Sequence, residues 1–100
     1  MPKNFNDRCY TILKRVPKGS VTTYKAVAYA LRSKAYRAVG NAMNRNPYAP
    51  EVPCHRVINS NGFVGQFAKG MKTKVKMLES EGVIINNKGF VDLTKYLHKF

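Results

Sequence analysis

Residues 20–43 have the sequence SVTTYKAVAYALRSKAYRAVGNAM, and this segment gives the clearest prediction of the fold. Thr23 stands where its side chain can cap a helix, and apolar residues recur after it at helical spacing. Ser33 stands in the same relation to a second helix, which we expect to run through Met43. Two short helices joined by a brief turn are typical of a helix-turn-helix. The second helix is slim enough to approach DNA closely, because four positions carry small residues: Ala35, Ala38, Gly40 and Ala42.

Two further helices are predicted outside this unit. Apolar residues at helical spacing predict a first helix over residues 6–16, with Cys9 on its apolar stripe. Cys9 is therefore expected to be a small core residue rather than half of a disulfide. Residues 70–81 predict a long last helix, and Gly82 follows it as a C-terminal cap.

The β content is expected to be small. Residues 60–62 (SNG) predict a turn between two short extended segments, residues 57–58 and 63–64, which would make a hairpin or wing. Asp92 is placed to cap a final helical turn. Together these patterns predict a single domain over residues 1–100, mainly α with a small β element, of the winged helix-turn-helix type.

The charge distribution predicts a polyanionic partner. The net charge is +13, and residues 8–48 contain nine Lys or Arg residues and no acid. A solvated face usually mixes the two signs, so nucleic acid is the natural partner; a basic protein adapted to heat or salt is the alternative. No apolar run reaches membrane-spanning length and no signal-peptide pattern stands at the start. We therefore expect a soluble, intracellular protein without membrane association.

Residues 53–57 (PCHRV) predict nucleophilic chemistry at a thiol. Cys54 is followed directly by His55, which can handle protons at neutral pH, and then by Arg56, whose charge favours a thiolate. Adjacent side chains diverge along a regular strand, so a turn or a bridging water is needed to bring the imidazole to the sulfur. A metal site is not expected, because the chain lacks a Cys-x-x-Cys pair and the other histidine, His98, is distant in sequence.

Glu81 is placed unfavourably for a surface carboxylate, because it stands in the last helical turn at the negative end of the helix dipole. It could form a surface ion pair with a lysine. It could also orient His55 as the third member of a Cys-His-Glu relay, which is the interpretation we favour.

The motif Pro-Cys-His-Arg-Val resembles the active-site signature of the O6-alkylguanine-DNA alkyltransferases. Other segments resemble the same family in the same order along the chain: residues 19–24 (GSVTTY), 37–43 (RAVGNAM), 46–47 (NP), 61–62 (NG), Gly65 and 78–82 (LESEG). The resemblance implies single-turnover transfer of an alkyl group, with methyl as the expected case, from O6-alkylguanine in double-stranded DNA to Cys54. It implies no cofactor and no metal.

The resemblance also implies roles in catalysis and base extrusion for individual residues. His55 would be the base, Glu81 would orient it, and Asn46 would brace the active-site turn. Arg37 would fill the gap left by the extruded nucleotide, and Tyr24 would help to rotate that nucleotide out of the stack.

Two further sets complete the predicted sites. DNA contacts are assigned, beyond Tyr24 and Arg37, to Lys34, Ala38, Arg45 and Arg56. The substrate pocket is assigned to Met43, Val57, Phe67, Ala68 and Lys69.

The chain departs from the family pattern in three respects. The usual N-terminal domain is missing, which leaves open a partner chain that replaces it; the protein itself is expected to be a monomer in the cytoplasm, near the nucleoid, or in the nucleus. Phe67 stands where the family usually has Tyr, and Lys69 stands where a small residue is common.

Three alternative functions remain at this point. The single-domain layout is also that of the alkyltransferase-like damage sensors, which carry Trp or Ala where Cys54 stands. A helix-turn-helix regulator would explain the charge but not the PCHRV motif. A cysteine hydrolase would need an acyl pocket, for which the sequence has no signal.

Overall fold

The computed structural model describes residues 4–67 and 69–100, and within them it contains five α-helices and one two-stranded sheet. The elements follow one another as α1 (Phe5–Leu13), β1 (Thr22–Thr23), α2 (Tyr24–Ala30), α3 (Tyr36–Asn44), β2 (Val57–Ile58), α4 (Met71–Ser80) and α5 (Leu93–Tyr96). A short 3-10 turn, Cys54–Arg56, precedes β2. The mainly helical fold with a small β element is therefore confirmed.

The helix-turn-helix is formed by α2 and α3, which pack against each other. The Thr23 hydroxyl accepts a hydrogen bond from the Ala26 amide at 3.0 Å, so the predicted cap of α2 is confirmed. The predicted cap of α3 is wrong, because Ala35 rather than Ser33 precedes the helix and no side chain caps it.

Ser33 is used instead to close α2. Its amide donates to the Ala28 carbonyl at 2.9 Å, and Arg32 before it has a left-handed backbone with φ of 57°. This is the Schellman arrangement, which satisfies the last carbonyl groups of a helix. The Ser33 hydroxyl then accepts from the Ala35 amide, within the turn that joins α2 to α3.

The sheet is parallel and joins two distant segments of the chain. Thr22 pairs with Val57 and Thr23 with Ile58. This pairing sets Tyr24, the first residue of α2, beside the segment that follows the 3-10 turn at Cys54–Arg56.

The predicted hairpin forms only in part. The turn closes, since the Gly62 amide donates to the Asn59 carbonyl at 2.9 Å. Phe63, however, makes an antiparallel bridge to Phe90 rather than extending a ladder with β2. A side chain at Gly62 would lie 2.7 Å from the Val91 carbonyl oxygen, so the C-terminal segment lies directly against this turn.

Two apolar clusters form the core. The first lies beneath the helix-turn-helix and includes Cys9, Leu13, Val39 and Cys54. The second lies between the sheet and α4 and includes Ile58. Cys9 is fully buried and both thiols are free, as predicted. Within the described residues, no helix is both long enough and apolar enough to cross a membrane.

Candidate active site

Cys54 begins a 3-10 turn at the edge of the first core cluster. The turn is held by short backbone bonds, from the Cys54 amide to the Val52 carbonyl at 2.8 Å and from the Arg56 amide to the Pro53 carbonyl at 3.0 Å. Cys54 is 8% exposed, so the residue is almost completely buried. The tight turn is the departure from a regular strand that a Cys-His pair requires.

His55 is bonded to Glu81 across the junction of the turn and α4. The His55 Nε2 atom lies 3.0 Å from the Glu81 Oε2 atom. Burial lowers the pKa of His55 below 6.5, and this outweighs the opposing effect of Glu81. The imidazole is therefore neutral at pH 7. With Nε2–H donated to the carboxylate, Nδ1 is the atom left to accept a proton.

The thiol and the imidazole do not touch directly. Among residues 4–67 and 69–100 no hydrogen bond joins Cys54 Sγ to His55. Proton transfer between them therefore requires an intervening water or a small rotation, which agrees with the bridging water considered from the sequence.

Glu81 is also the partner of Arg56. The guanidinium donates through Nε at 2.9 Å and Nη2 at 2.7 Å to the two carboxylate oxygens, and through Nη1 at 2.8 Å to the Val16 carbonyl. Burial alone would raise the pKa of Glu81, but hydrogen bonds and charges from Arg56 and His55 lower it below 4.5. Glu81 is thus ionised, and its carboxylate binds both Arg56 and His55.

This arrangement differs from the predicted uses of Arg56. Its charge is compensated by Glu81 and its side chain is only 13% exposed. The geometry favours a structural role, in which Arg56 ties Glu81 to the segment after α1, over a contact with DNA phosphates.

The side chain of Asn46 bridges the segment that leads to Cys54. Its Nδ2 atom donates to the Val52 carbonyl at 2.8 Å and its Oδ1 atom accepts from the Tyr48 amide at 2.9 Å. The side chain thereby fixes both ends of a short loop just before Cys54, which is the geometry that a bracing role requires.

Tyr24 lies between α3 and α4. A side chain at Gly40 would come within 4.0 Å of the Tyr24 ring, so the small residue lets α3 approach it. Burial, and secondarily the charge of Cys54, raise the pKa of Tyr24, which keeps its hydroxyl a proton donor. A cleft of about 310 Å³ opens beside the ring, lined also by Lys25, Tyr36, Asn59 and Ser60. The sequence motifs gave no signal for these four lining residues.

The predicted DNA contacts on α3 and its flanks face solvent. Arg37, Lys34 and Arg45 are exposed, whereas Ala38 is half-buried on the helix. All nine basic residues of the acid-free segment are exposed: Arg8, Lys14, Arg15, Lys18, Lys25, Arg32, Lys34, Arg37 and Arg45. The structure therefore leaves these charges available to a polyanion.

The predicted pocket residues fall into two groups. Met43 and Val57 are buried in the core cluster that contains Cys54, so they support the site from below. Phe67 packs against that cluster, and Lys69 is exposed. Ala68 lies outside the described residues.

Sequence reasoning missed Lys74. This residue of α4 is fully buried, and its Nζ atom donates to the Gln66 carbonyl at 3.2 Å. Burial lowers the pKa of Lys74 from 10.5 to about 8. Lys74 lies one helical turn before the buried Leu78, and this position on the apolar side of α4 could have predicted its burial. The lysines at 72 and 76 made residue 74 look like part of a charged, exposed face.

Within the described ranges, no group of three His, Cys, Asp or Glu side chains could hold a metal ion. The site brings together a thiol, an imidazole, a carboxylate and a buried amine.

Comparison with known families gives a match over most of the chain. Residues 4–83 match the model described as the DNA-binding domain of 6-O-methylguanine DNA methyltransferase. A methylated-DNA–protein-cysteine methyltransferase of Thermococcus sibiricus is 48% identical over 80 residues, which are 79% of this chain and 45% of the relative. The chain thus spans about half of the length of the curated relatives that it matches, or less.

Solved structures agree with this match. The O6-methylguanine-DNA methyltransferase of Pyrococcus kodakaraensis superposes with a TM-score of 0.74 and 46% identity, over 81% of this chain and 47% of that protein. S. pombe Atl1, in complex with damaged DNA containing O6-carboxymethylguanine, superposes with a TM-score of 0.83 and 31% identity. That second match covers 96% of this chain and 95% of Atl1.

Proposed function

The chain belongs to the 6-O-methylguanine DNA methyltransferase family, and on that premise we propose that it repairs DNA by moving an alkyl group from guanine O6 to Cys54. One observation carries the proposal. Cys54 stands in a tight turn beside a neutral His55 whose Nε2 is held by the Glu81 carboxylate. A thiol beside an oriented base is the arrangement that nucleophilic catalysis requires.

The reaction follows from the site. His55 Nδ1 takes the thiol proton through a water, and the resulting thiolate attacks the alkyl carbon in line with the C–O6 bond. A new C–S bond forms while the C–O6 bond breaks, and guanine leaves with the electron pair. The Tyr24 hydroxyl, whose pKa is raised by burial, supplies hydrogen bonding to the leaving base. The thioether has no hydrolytic exit, so each molecule reacts once.

Double-stranded DNA containing O6-alkylguanine is the proposed substrate. Exposed cations on and around α3 bind phosphates, and the slim helix lies in the minor groove. A base inside the stack cannot present its O6 substituent to a buried thiol, so the nucleotide must be extruded. Arg37, exposed on α3, fills the gap and Tyr24 guides the nucleotide.

A second candidate is a damage sensor that binds alkylated DNA without transfer. The observation that favours it is the near-complete mutual coverage with S. pombe Atl1. Cys54 distinguishes the two candidates, because a sensor has no need of a thiol held beside a base. The transfer reaction is therefore preferred.

We also propose that the protein acts as a monomer where the DNA is, at the nucleoid or in the nucleus. The support is the charge, since a net charge of +13 would make two copies repel each other. Sedimentation of the free protein at micromolar concentration should give the mass of one chain. A stable partner chain would instead appear as a complex isolated from the native cell.

The test of the proposed reaction is the loss of lesions from DNA. A duplex with one O6-methylguanine is incubated with increasing amounts of the natural protein or of Cys54→Ser. The natural protein should remove one lesion per molecule and no more. Cys54→Ser should bind the same duplex and remove none, because a hydroxyl is a far weaker nucleophile at neutral pH. Binding by the natural protein with no loss of lesions would select the sensor function.

A further inference from the structure

Large apolar side chains are exposed mainly on one face of the molecule. Apart from tyrosines, four of them are exposed within the described residues: Met71, Ile84, Phe90 and Phe100. The first three lie on α4 and on the segment that follows it, and Ile84 is 66% exposed. Single exposed apolar residues are normal, whereas a contiguous exposed patch marks a surface that binds something.

These side chains form a contiguous surface. The rings of Phe63 and Phe90 pack together with their centroids 5.3 Å apart. A Cβ atom at Gly89 would lie 3.0 Å from Phe63 Cε1 and 3.4 Å from Met71 Cε, so both side chains border the same glycine. Phe90 also lines a cleft together with Ile84. We call the surface formed by Met71, Phe63, Phe90 and Ile84 the apolar face.

The apolar face has a cleft at each end. The cleft that Ile84 and Phe90 line has a volume of about 350 Å³. A second cleft of about 490 Å³ runs along α4, lined on its apolar side by Met71 and Val75. Concave apolar surfaces accept the side chains of a partner, as in the recognition of an amphipathic helix by a groove.

Positive charge surrounds the apolar face. Four exposed lysines lie on its two clefts or beside Gly89: Lys72, Lys76, Lys88 and Lys95. Across residues 4–67 and 69–100 none of these lysines forms an ion pair. Two acids also line the clefts, Glu79 and Asp92, but the Asp92 carboxylate is bonded to the Thr94 amide and hydroxyl. The complementary partner is therefore acidic as well as apolar.

The apolar face and the recognition helix pack on different parts of the core. Val75 of α4 and Val91 belong to or pack against the second core cluster. Helix α3, whose cations are proposed to bind DNA, contributes Val39 to the first cluster. We therefore expect a duplex bound at α3 to leave the apolar face accessible.

We propose that the apolar face docks a partner protein through an acidic segment that presents apolar side chains. The apolar side chains of that segment enter the two clefts, and its carboxylates lie against the surrounding lysines. The clefts favour a protein segment over a lipid surface, because a bilayer has no fixed protrusions to fill them. A second copy of the chain is disfavoured by its net charge of +13. The inference goes beyond the proposed function, because the apolar face contains none of the residues assigned to alkyl transfer.

The experiment titrates the whole protein with a defined acidic peptide and follows its backbone amide signals by NMR. The protein is first bound to an excess of undamaged duplex DNA, so that the basic segment around α3 is occupied. The probe is a synthetic helical peptide with leucines on one face and glutamates on the other. One control peptide has serines in place of the leucines, and another has glutamines in place of the glutamates.

The leucine–glutamate peptide should shift the amide signals of α4 and of residues 84–90 and leave those of α3 unchanged. Both control peptides should bind at least about tenfold more weakly, because each lacks one of the two complementary features. Ile84→Ser should weaken binding of the probe about tenfold, since an exposed isoleucine then no longer becomes buried. Lys76→Gln should weaken it about threefold. Tyr48→Ser, which changes an exposed aromatic residue outside the apolar face, should bind the probe as the natural protein does.

Four results would overturn the inference. The DNA-bound protein could fail to bind the probe, the shifts could be confined to α3, or Ile84→Ser could bind as tightly as the natural protein. The fourth is co-sedimentation of the DNA-bound protein with vesicles of phosphatidylglycerol and phosphatidylcholine, lost in Ile84→Ser, which would assign the face to a lipid surface. Because undamaged DNA is used, these outcomes do not depend on whether the protein transfers an alkyl group.

Discussion

Around Cys54, each ionisable side chain owes its charge state to a different physical cause. His55 is neutral at pH 7 because burial lowers its pKa. Glu81 is ionised because Arg56 and His55 together outweigh its own burial. Lys74 remains an ammonium at neutral pH, with its pKa lowered by burial to about 8. The site therefore combines a neutral imidazole with an ionised carboxylate and a buried ammonium.

Glu81→Gln should damage both stability and reaction. It removes the charge that compensates the partly buried Arg56, and it replaces one of the two carboxylate oxygens by an NH2 group, so a single oxygen is left for the donors of Arg56 and His55. We expect a loss of about 3 kcal/mol in the free energy of unfolding, measured by urea denaturation. The rate of alkyl transfer should fall by about a hundredfold, since general base catalysis is lost. Glu79→Gln, on the exposed face of α4, is the matched control and should change neither quantity; equal effects of both variants would refute the role of Glu81.

Lys74→Met should stabilise the protein at neutral pH. The pKa of Lys74 is about 8 in the folded state and 10.5 when exposed, so the unfolded chain binds more protons between these values. Stability of the natural protein therefore rises with pH across that window, and the cost of burial is fully present below it. The free energies of unfolding of the two proteins should differ by about 3 kcal/mol at pH 7 and converge near pH 10.5. A difference that does not change with pH would contradict a buried ammonium.

Short sequence patterns correctly predicted most of the helix caps, turns and helix ends, because these depend on neighbouring residues. The caps at Thr23 and Asp92, the turn at 60–62 and the helix ended by Gly82 were all confirmed. The start of α3 was predicted wrongly. Serine is a common helix N-cap, but here the Ser33 amide donates to the Ala28 carbonyl and closes the end of α2.

Non-local pairing could not be predicted in this way. The strand at 57–58 has the same local pattern whether it pairs with 63–64 or with β1, and tertiary packing selects β1. The same limit applies to the site. The PCHRV motif predicted a nucleophile, but the compensation of Arg56 by Glu81 and the burial of Lys74 depend on how α4 docks against the turn at Cys54–Arg56.

The segment between Gly65 and Gly70 should set the size of the alkyl group that is accepted. Phe67 packs against the core cluster that contains Cys54, and Lys69, two residues further along, is exposed. We therefore expect a long charged side chain at the rim of the predicted pocket. O6-benzylguanine should therefore inactivate the natural protein slowly, and Lys69→Gly should be inactivated about tenfold faster. Lys69→Arg, which keeps length and charge, should behave as the natural protein does. Rapid inactivation of all three proteins would show that Lys69 does not limit the pocket.

The whole molecule carries a net charge of +13, and the nine basic side chains of its acid-free segment are all exposed. Binding to DNA should therefore be driven largely by counterion release, with the logarithm of the binding constant falling by roughly 0.9 per phosphate contact for each unit of log salt. Lys34→Ala should reduce this slope by about one contact. A binding constant that does not change with salt would argue against a nucleic-acid partner.

We expect Arg37 to assist base extrusion from duplex DNA and to have no part in the transfer of the alkyl group itself. Arg37→Ala should reduce transfer from duplex DNA by at least about tenfold, because nothing then fills the gap left by the extruded base. Reaction with an alkylated free base should be unchanged, because no duplex has to be opened. Equal losses on the two substrates would limit Arg37 to contacts with phosphate.

Alkyl transfer to Cys54 is tested most directly by the mass of the protein after the reaction. Intact-mass analysis after incubation with excess O6-methylguanine duplex should show one added methyl group per chain, and peptide mapping should place it on Cys54. Cys9, fully buried with its pKa raised to about 11 by burial, should remain unmodified. A methyl group on Cys9, or a mass that does not change although the duplex is bound, would contradict transfer to Cys54.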